Sequence, residues 1–193
     1  MKIEEIKEKY YFETLTSEHN LSDFDCGDEE LNKFLKDDAL NQQNAKLNVT
    51  KLVMCEGRII GYASLLTDKI ILKRIKDEKL RITLKGKLNL NSKEKEISAV
   101  MIGRFAIDKK YTNKGLGSHI LRNILKNLKE ISENRIGFRF IVIEGYASAF
   151  NFYVLKNGFE YLEKDEKFVE KINFISKRDP KKLFYLYLDL KKI

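Results

Sequence analysis

Apolar positions along the chain follow two periods. Tyr10 to Leu15, Val49 to Cys55 and Arg58 to Thr67 read as strands, and Glu56-Gly57 supplies a hairpin turn between the second and third. Ile97 to Asp108 is a longer, mostly apolar strand, Phe138 to Ile143 is another, and Phe159 to Leu162 and Leu183 to Leu190 close the set. Helical spacing appears in Leu31, Phe34, Leu35 and Ala39, behind an N-cap from Asp25 or Asp28, and fades near Asn41 to Asn44. Leu116, Ile120, Leu121, Ile124, Leu125, Leu128 and Ile131 form one stripe of a strong helix. Ala147 to Asn157 reads as a short helix, with Gly158 as its left-handed C-cap. This order predicts an α+β fold with a strand–loop–helix–strand–helix unit at its centre.

Leu72 to Lys95 is highly charged, with Leu80, Ile82, Leu84 and Leu88 as its main apolar marks. It reads either as a helix or helical hairpin packed on the sheet edge, or as a mobile insertion. The chain has a single proline, Pro180, no internal repeats and nothing resembling an interdomain linker. One domain spanning 1–193, with a charged insertion around 72–95, is the expectation.

Composition narrows the class. Hydrophobic residues make up 43% and charged residues 34%, the balance of a soluble globular protein. Met1 to Tyr10 alternates charge and aliphatic residues, unlike a secretory signal, and no apolar run approaches the ~20 residues that cross a bilayer. A cytoplasmic protein without a membrane partner is expected. Cys26 and Cys55 are too few for a disulfide framework and read as buried small hydrophobes; with only His19 and His119 besides, no metal site is expected. Lysine and arginine exceed aspartate and glutamate by 37 − 29 = 8, a surplus that favours polyanionic partners such as nucleic acid or nucleotide cofactors.

The chemistry concentrates where the long strand ends. Ile102-Gly-Arg-Phe-Ala-Ile-Asp108 runs into Lys109-Lys-Tyr-Thr-Asn-Lys-Gly-Leu-Gly-Ser118, and a helix starts at once. The first turn of a helix leaves amides unpaired and carries partial positive charge, so it cradles anions. Gly115 and Gly117 lack the β-carbons that would hold a phosphate off the backbone, and Lys109, Lys110 and Lys114 add mobile positive charge. The longer P-loop pattern is absent. By itself such a loop reads equally as a tight strand-to-helix turn without a ligand.

A second segment gives context: Ala149-Phe-Asn-Phe-Tyr153, then Asn157-Gly-Phe159. Arg-x-Ala-Ile-Asp before Gly-Leu-Gly, followed by Ala-x-x-x-Tyr and Gly-Phe, resembles the GNAT superfamily of N-acetyltransferases. Thr112 stands where that family usually has Gln or Arg, and Tyr146 where it commonly has Asn. The resemblance implies a GNAT-like mixed, mostly antiparallel central sheet, splayed at the cofactor site and flanked by helices. It implies acetyl-CoA as cofactor, bound by Phe105, Ala106 and Ile107 along the strand and by Thr112, Asn113, Lys114, Gly115, Leu116, Gly117 and Ser118 around the diphosphate. It also implies that Tyr153 is the general acid that protonates the departing thiolate.

Glu144 is a candidate base, but reads more naturally as a solvated strand-end residue, and the strand from Val100 to Ile107 carries no carboxylate. A site without a strong base suits an α-amine, whose pKa near 7.7–8.0 leaves roughly a tenth neutral, better than a lysine amine near 10.4. Phe24-Asp-Cys-Gly-Asp-Glu-Glu-Leu-Asn-Lys-Phe-Leu35, then Ala39 and Ile59-Ile-Gly-Tyr-Ala-Ser-Leu65, resembles the subgroup of tRNA-acetylating toxins of type II toxin–antitoxin modules. That implies aminoacyl-tRNA as acceptor, a small antitoxin protein as partner and a possible homodimer. Arg104, Lys114, Arg122, Arg135 and Arg139 are candidate phosphate contacts. An acetyltransferase for a protein or small-molecule amine, and a non-catalytic RNA- or partner-binding module, remain as alternatives.

Overall fold

The computed structural model describes residues 2–72, 78–88, 96–161 and 166–193. In chain order these form α1 (Ile3–Lys9), β1 (Tyr11–Thr14), α2 (Glu29–Lys33), α3 (Ala39–Asn44), β2 (Val49–Cys55), β3 (Arg58–Ile71), α4 (Glu78–Leu88) and β4 (Glu96–Ile107). Then come α5 (Leu116–Asn134), β5 (Phe140–Tyr146), β6 (Glu160–Tyr161), α6 (Glu166–Arg178) and β7 (Leu183–Asp189). The strands hydrogen-bond in the order β1-β2-β3-β4-β5-β7-β6. The mixed, mostly antiparallel sheet with helices is the α+β architecture expected from the sequence. The chain divides into two compact units, residues 1–66 with 102–124 and residues 67–101 with 125–193.

In the first unit, β1, β2 and β3 are antiparallel neighbours. Glu56 and Gly57 both hold positive φ, 49° and 73°, as a two-residue hairpin whose twist matches its strands requires. The register slips between Val53, opposite Gly61, and Met54, opposite Ile59, so Ile60 is a bulge. Its carbonyl accepts the Asp108 amide at 2.9 Å, anchoring the end of β4. Gly61 is required there: a β-carbon would lie 2.8 Å from the Ala106 carbonyl oxygen.

Asp28, one of the two N-caps expected, accepts the Leu31 amide at 3.1 Å and starts α2. A π-helical turn, Phe34–Asp38, joins it to α3. The helix stops at Lys46, φ 62°, where Lys46 N bonds Gln43 O and Leu47 N bonds Gln42 O, the paired bonds of a Schellman motif. Phe24, Phe34, Leu35 and Ala39 pack on Leu52, Met54, Tyr62 and Ala106.

In the second unit β4 pairs in parallel with β5, from Ala99 opposite Phe140 to Met101 opposite Val142, and β7 lies antiparallel to both β5 and β6. Ile70, Leu72, Leu84, Ile97, Ala99, Phe140, Val142 and Tyr187 form the core.

Several boundaries differ from the sequence reading. β3 runs on to Ile71, and β5 covers Phe140–Tyr146, where Phe138 to Ile143 was expected. Arg139, just before β5, is held by Asp189, which fixes the chain ahead of the strand. The stretch from Ala147 contains a 3₁₀ turn, Ala147–Ala149, and a π-helical turn, Phe152–Lys156; an uninterrupted helix was expected. Gly158 does hold a left-handed φ of 72°. Of the charged 72–95 stretch, Glu78–Leu88 is helical and buries Leu84 while leaving Ile82 exposed; residues 73–77 and 89–95 lie outside the described residues. Ile131, counted in the α5 stripe, is exposed. Helices α1 and α6 were not read from the sequence. No helix among the described residues is long and apolar enough to cross a membrane.

Candidate active site

The residues expected to act fall in both units, and each set is described within its own. In the first, β4 buries Ala106 and Ile107, half-buries Phe105 and exposes Arg104. Asp108 is 3% exposed, and its carboxylate accepts the Lys110 amide at 2.9 Å, capping the 3₁₀ turn Lys109–Tyr111 as its strand-end position implied. Thr112 is extended, with its hydroxyl on the Lys109 carbonyl at 3.0 Å. Asn113 and Gly115 then take left-handed φ of 59° and 78°. Asn tolerates that region better than other side chains, and glycine occupies it freely.

The chain enters α5 with Leu116 fully buried as its anchor, and Ser118 is buried one turn in. His119 N bonds Gly115 O at 3.3 Å, the first turn of the helix. Leu116 and Gly117 precede that bond, so helix geometry gives their amides no partner four residues back. A β-carbon built on Gly115 would meet nothing within 4 Å. The loop is therefore open above its glycine, with helix-terminal amides behind it, and fits a diphosphate.

Two of the three lysines expected to supply loose charge have partners. Lys109 Nζ lies 2.5 Å from Asp25 Oδ2, and Lys114 Nζ donates to the Lys110 carbonyl at 3.0 Å. Lys109, followed by the Gly27 amide, holds the Asp25 carboxyl well below the usual carboxylate range. The Arg104 guanidinium sits 5.2 Å over the Phe34 ring, which stacks on Tyr62. His119 is half-buried, edge-on to Tyr10 at 5.7 Å. A cleft of about 360 Å³ also opens in this unit, lined by Asp23, Arg58, Asp108, Lys110 and Tyr111 among others.

In the second unit Tyr153 lies on the π-helical turn after Asn151 and is 7% exposed. Its ring packs edge-on to Phe152 at 5.0 Å and Phe159 at 5.7 Å. Gly145 on β5 makes room for it: a β-carbon there would stand 3.2 Å from two carbons of the ring. Burial pushes the phenol well above its ordinary pKa, at which it is already protonated in the neutral range. Glu144 is exposed. Arg139, grouped in the sequence reading with cations that could meet phosphate, is instead committed to Asp189 through two bonds of 3.0 and 2.9 Å. Among the described residues no group of three or more His, Cys, Asp or Glu could hold a metal ion.

Gly61 and Gly145, which lie against Ala106 and Tyr153, and Asp25, which holds Lys109, were not singled out by sequence reasoning. A glycine in a strand signals close backbone approach, which was the available clue for the first two.

The sequence model of the acetyltransferase (GNAT) family matches residues 5–159. No curated protein matches the chain in sequence. Among solved structures, that of AtaT complexed with acetyl-methionyl-tRNAfMet is 18% identical, covers 95% of this chain and 96% of that one, and superposes with a TM-score of 0.72. AtaTR bound with AcCoA is 20% identical, with 96% of each chain covered and a TM-score of 0.71. A tyrosine-to-phenylalanine mutant of KacT is 18% identical, with 95% and 96% covered and a TM-score of 0.71. At such identities the likeness is one of fold.

Proposed function

This chain belongs to the acetyltransferase (GNAT) family, and from that premise we propose that it moves an acetyl group from acetyl-CoA to the α-amine of aminoacyl-tRNA, as one domain over residues 1–193. The observation that carries the cofactor assignment is the open loop: left-handed Asn113 and Gly115 leading into the amides of Leu116 and Gly117. Thr112, Asn113, Lys114, Gly115, Leu116, Gly117 and Ser118 are assigned to the diphosphate. Phe105, Ala106 and Ile107 on β4 are assigned to the pantetheine arm.

When bound, acetyl-CoA supplies an acetyl group activated as a thioester. The helix terminus binds and orients the cofactor through backbone amides, so the Thr112 side chain is not needed for charge recognition. Tyr153 holds a proton on its phenol oxygen for the leaving sulfur. Its burial favours the donor form, and the packed Phe152 and Phe159 rings fix its direction.

The acceptor assignment rests on three supports. AtaT, similar in fold, was solved with acetyl-methionyl-tRNAfMet. The chain carries a formal net charge of +8, which suits a polyanion. An α-amine needs less help than a lysine to lose its proton, in keeping with a candidate base, Glu144, that is exposed. A tyrosine-to-phenylalanine mutant of AtaT was also solved with the C-terminus of the antitoxin AtaR, and a small antitoxin protein is the partner proposed here, with the protein acting in the cytoplasm as a homodimer.

The test is acetyl transfer from labelled acetyl-CoA to charged tRNA, uncharged tRNA, lysine peptides and small amines in parallel. Label on charged tRNA alone is the expected result. Transfer to a peptide or small amine with charged tRNA inert would overturn the acceptor. No transfer to anything, with no coenzyme A bound, would leave a binding module.

A further inference from the structure

The turn that feeds the cofactor loop is strapped to Asp25 by three contacts, one of them from the Asp25 amide to Asp108 Oδ2 at 3.4 Å and two from Lys109. The Lys109 amide donates to the Asp25 carbonyl at 2.8 Å, and the Lys109 ammonium lies 2.5 Å from Asp25 Oδ2. Asp25 Oδ1 accepts the Gly27 amide at 2.8 Å and Asn32 Nδ2 at 2.9 Å. Asn32, on α2, returns a bond by accepting the Cys26 amide at 2.9 Å. Asp108, joined to Ile60 as well, caps the same turn. The turn Lys109–Tyr111 is thus held by Asp25 and by Asp108 immediately before Thr112.

From this geometry we infer that Asp25 and Lys109 are a positioning pair for the cofactor loop, and that the Lys109 ammonium is not itself a phosphate ligand. The inference rests on the acetyl-CoA reading of that loop. Both oxygens of Asp25 are engaged, and its Oδ2 takes one of the three ammonium N–H donors, so the Lys109 charge is already compensated by a carboxylate. Both side chains are substantially exposed, 60% for Lys109 and 41% for Asp25, so the ion pair contributes little to global stability. Its role is local. A turn held in place before binding loses less freedom when the diphosphate arrives, which raises affinity without a new ligand contact.

The experiment is calorimetric titration of coenzyme A into the full chain and its Lys109→Met, Lys109→Arg, Asp25→Asn and double Asp25→Asn/Lys109→Met variants, at low and high salt. Each charge-removing single variant should raise Kd by roughly two- to fivefold, the ceiling set by an exposed ion pair, with Lys109→Arg near the wild type. The double variant should be no worse than either single, because both remove one interaction. Melting temperatures should stay close to the wild type. The salt dependence of Kd should be the same in the wild type and the double variant, whose local net charge is equal, since the Lys109 charge meets Asp25 and no phosphate. A tighter complex in Asp25→Asn, with a weaker one in Lys109→Met, would make Lys109 a direct ligand and overturn the inference. Unchanged affinity in both would overturn it too. A wild type that binds no coenzyme A would remove the cofactor reading itself, a result distinct from the other two.

Discussion

Replacing Gly61 with alanine tests how closely β3 must approach the end of β4. The added carbon would stand 2.8 Å from the Ala106 carbonyl oxygen and 2.8 Å from Ile107 Cδ1. The isoleucine tip can turn away, but the carbonyl belongs to backbone anchored by the bond from Asp108 N to Ile60 O. Close carbon–oxygen contacts between strands sit near 3.3–3.6 Å, so the backbone must yield by about half an ångström. Overpacking of this kind costs about 1–3 kcal/mol. For a chain of this size, about 2 kcal/mol lowers the melting temperature by roughly 4–8 °C. The atoms displaced are those assigned to the pantetheine arm, so the KM for acetyl-CoA should rise by roughly three- to tenfold, with a smaller change in kcat. Thermal melts and a free-thiol release assay read the two effects. Gly86→Ala is the control: it makes the same chemical change on exposed α4, where the new carbon meets nothing, and should leave stability equal or about 0.5–1 kcal/mol higher. If Gly61→Ala melts with the wild type and keeps its KM, the close-approach argument is wrong.

Three further outcomes follow from the same geometry. Gly145→Ala should press on the Tyr153 ring and lower kcat by roughly tenfold while coenzyme A affinity holds; an unchanged kcat, measured alongside calorimetry, would detach Gly145 from the phenol's placement. Gly115→Val forces a β-branched residue into a left-handed φ at a cost of about 1–2 kcal/mol, so the KM for acetyl-CoA should rise severalfold, and steady-state kinetics showing no rise would count against the loop assignment. Desolvation raises the Asp189 carboxyl, but bonds from Arg139 and the Lys191 amide outweigh it and hold it low. A lowered carboxylate stabilises the fold above its unfolded pKa of about 4 and loses that contribution as pH falls through the folded value. Urea unfolding from pH 7 to pH 2 should therefore show an acid-side loss that Asp189→Asn flattens. At pH 7 Asp189→Asn should itself cost about 2 kcal/mol, less than for a fully buried pair because Arg139 keeps 17% of its exposure.

What local sequence dictates was readable from it. The Glu56-Gly57 hairpin, a cap from one of Asp25 and Asp28, the α5 stripe apart from its last member Ile131 and the left-handed Gly158 each follow from the preferences of a few neighbouring residues. Helix α6 was legible in principle, since Phe168, Val169, Ile172 and Ile175 recur at helical spacing, but heavy charge obscured it. The π-helical turns at Phe34–Asp38 and Phe152–Lys156 were not legible, because an extra residue in a helical turn leaves the apolar period almost unchanged.

Local residue preferences set the kinds of element present, the glycine-bearing turn before α5 and the pair of motifs that resemble the acetyltransferase family. Which charges are at liberty is a property of the fold. Lys109 looked like loose positive charge and is bound by Asp25, and Arg139 looked like a surface cation and is locked to Asp189. Glycine preferences and helix periods are set by a residue's own backbone and nearest neighbours, whereas an ion pair depends on a partner that the chain delivers from far away. That partner is invisible until the fold brings it within a few ångströms.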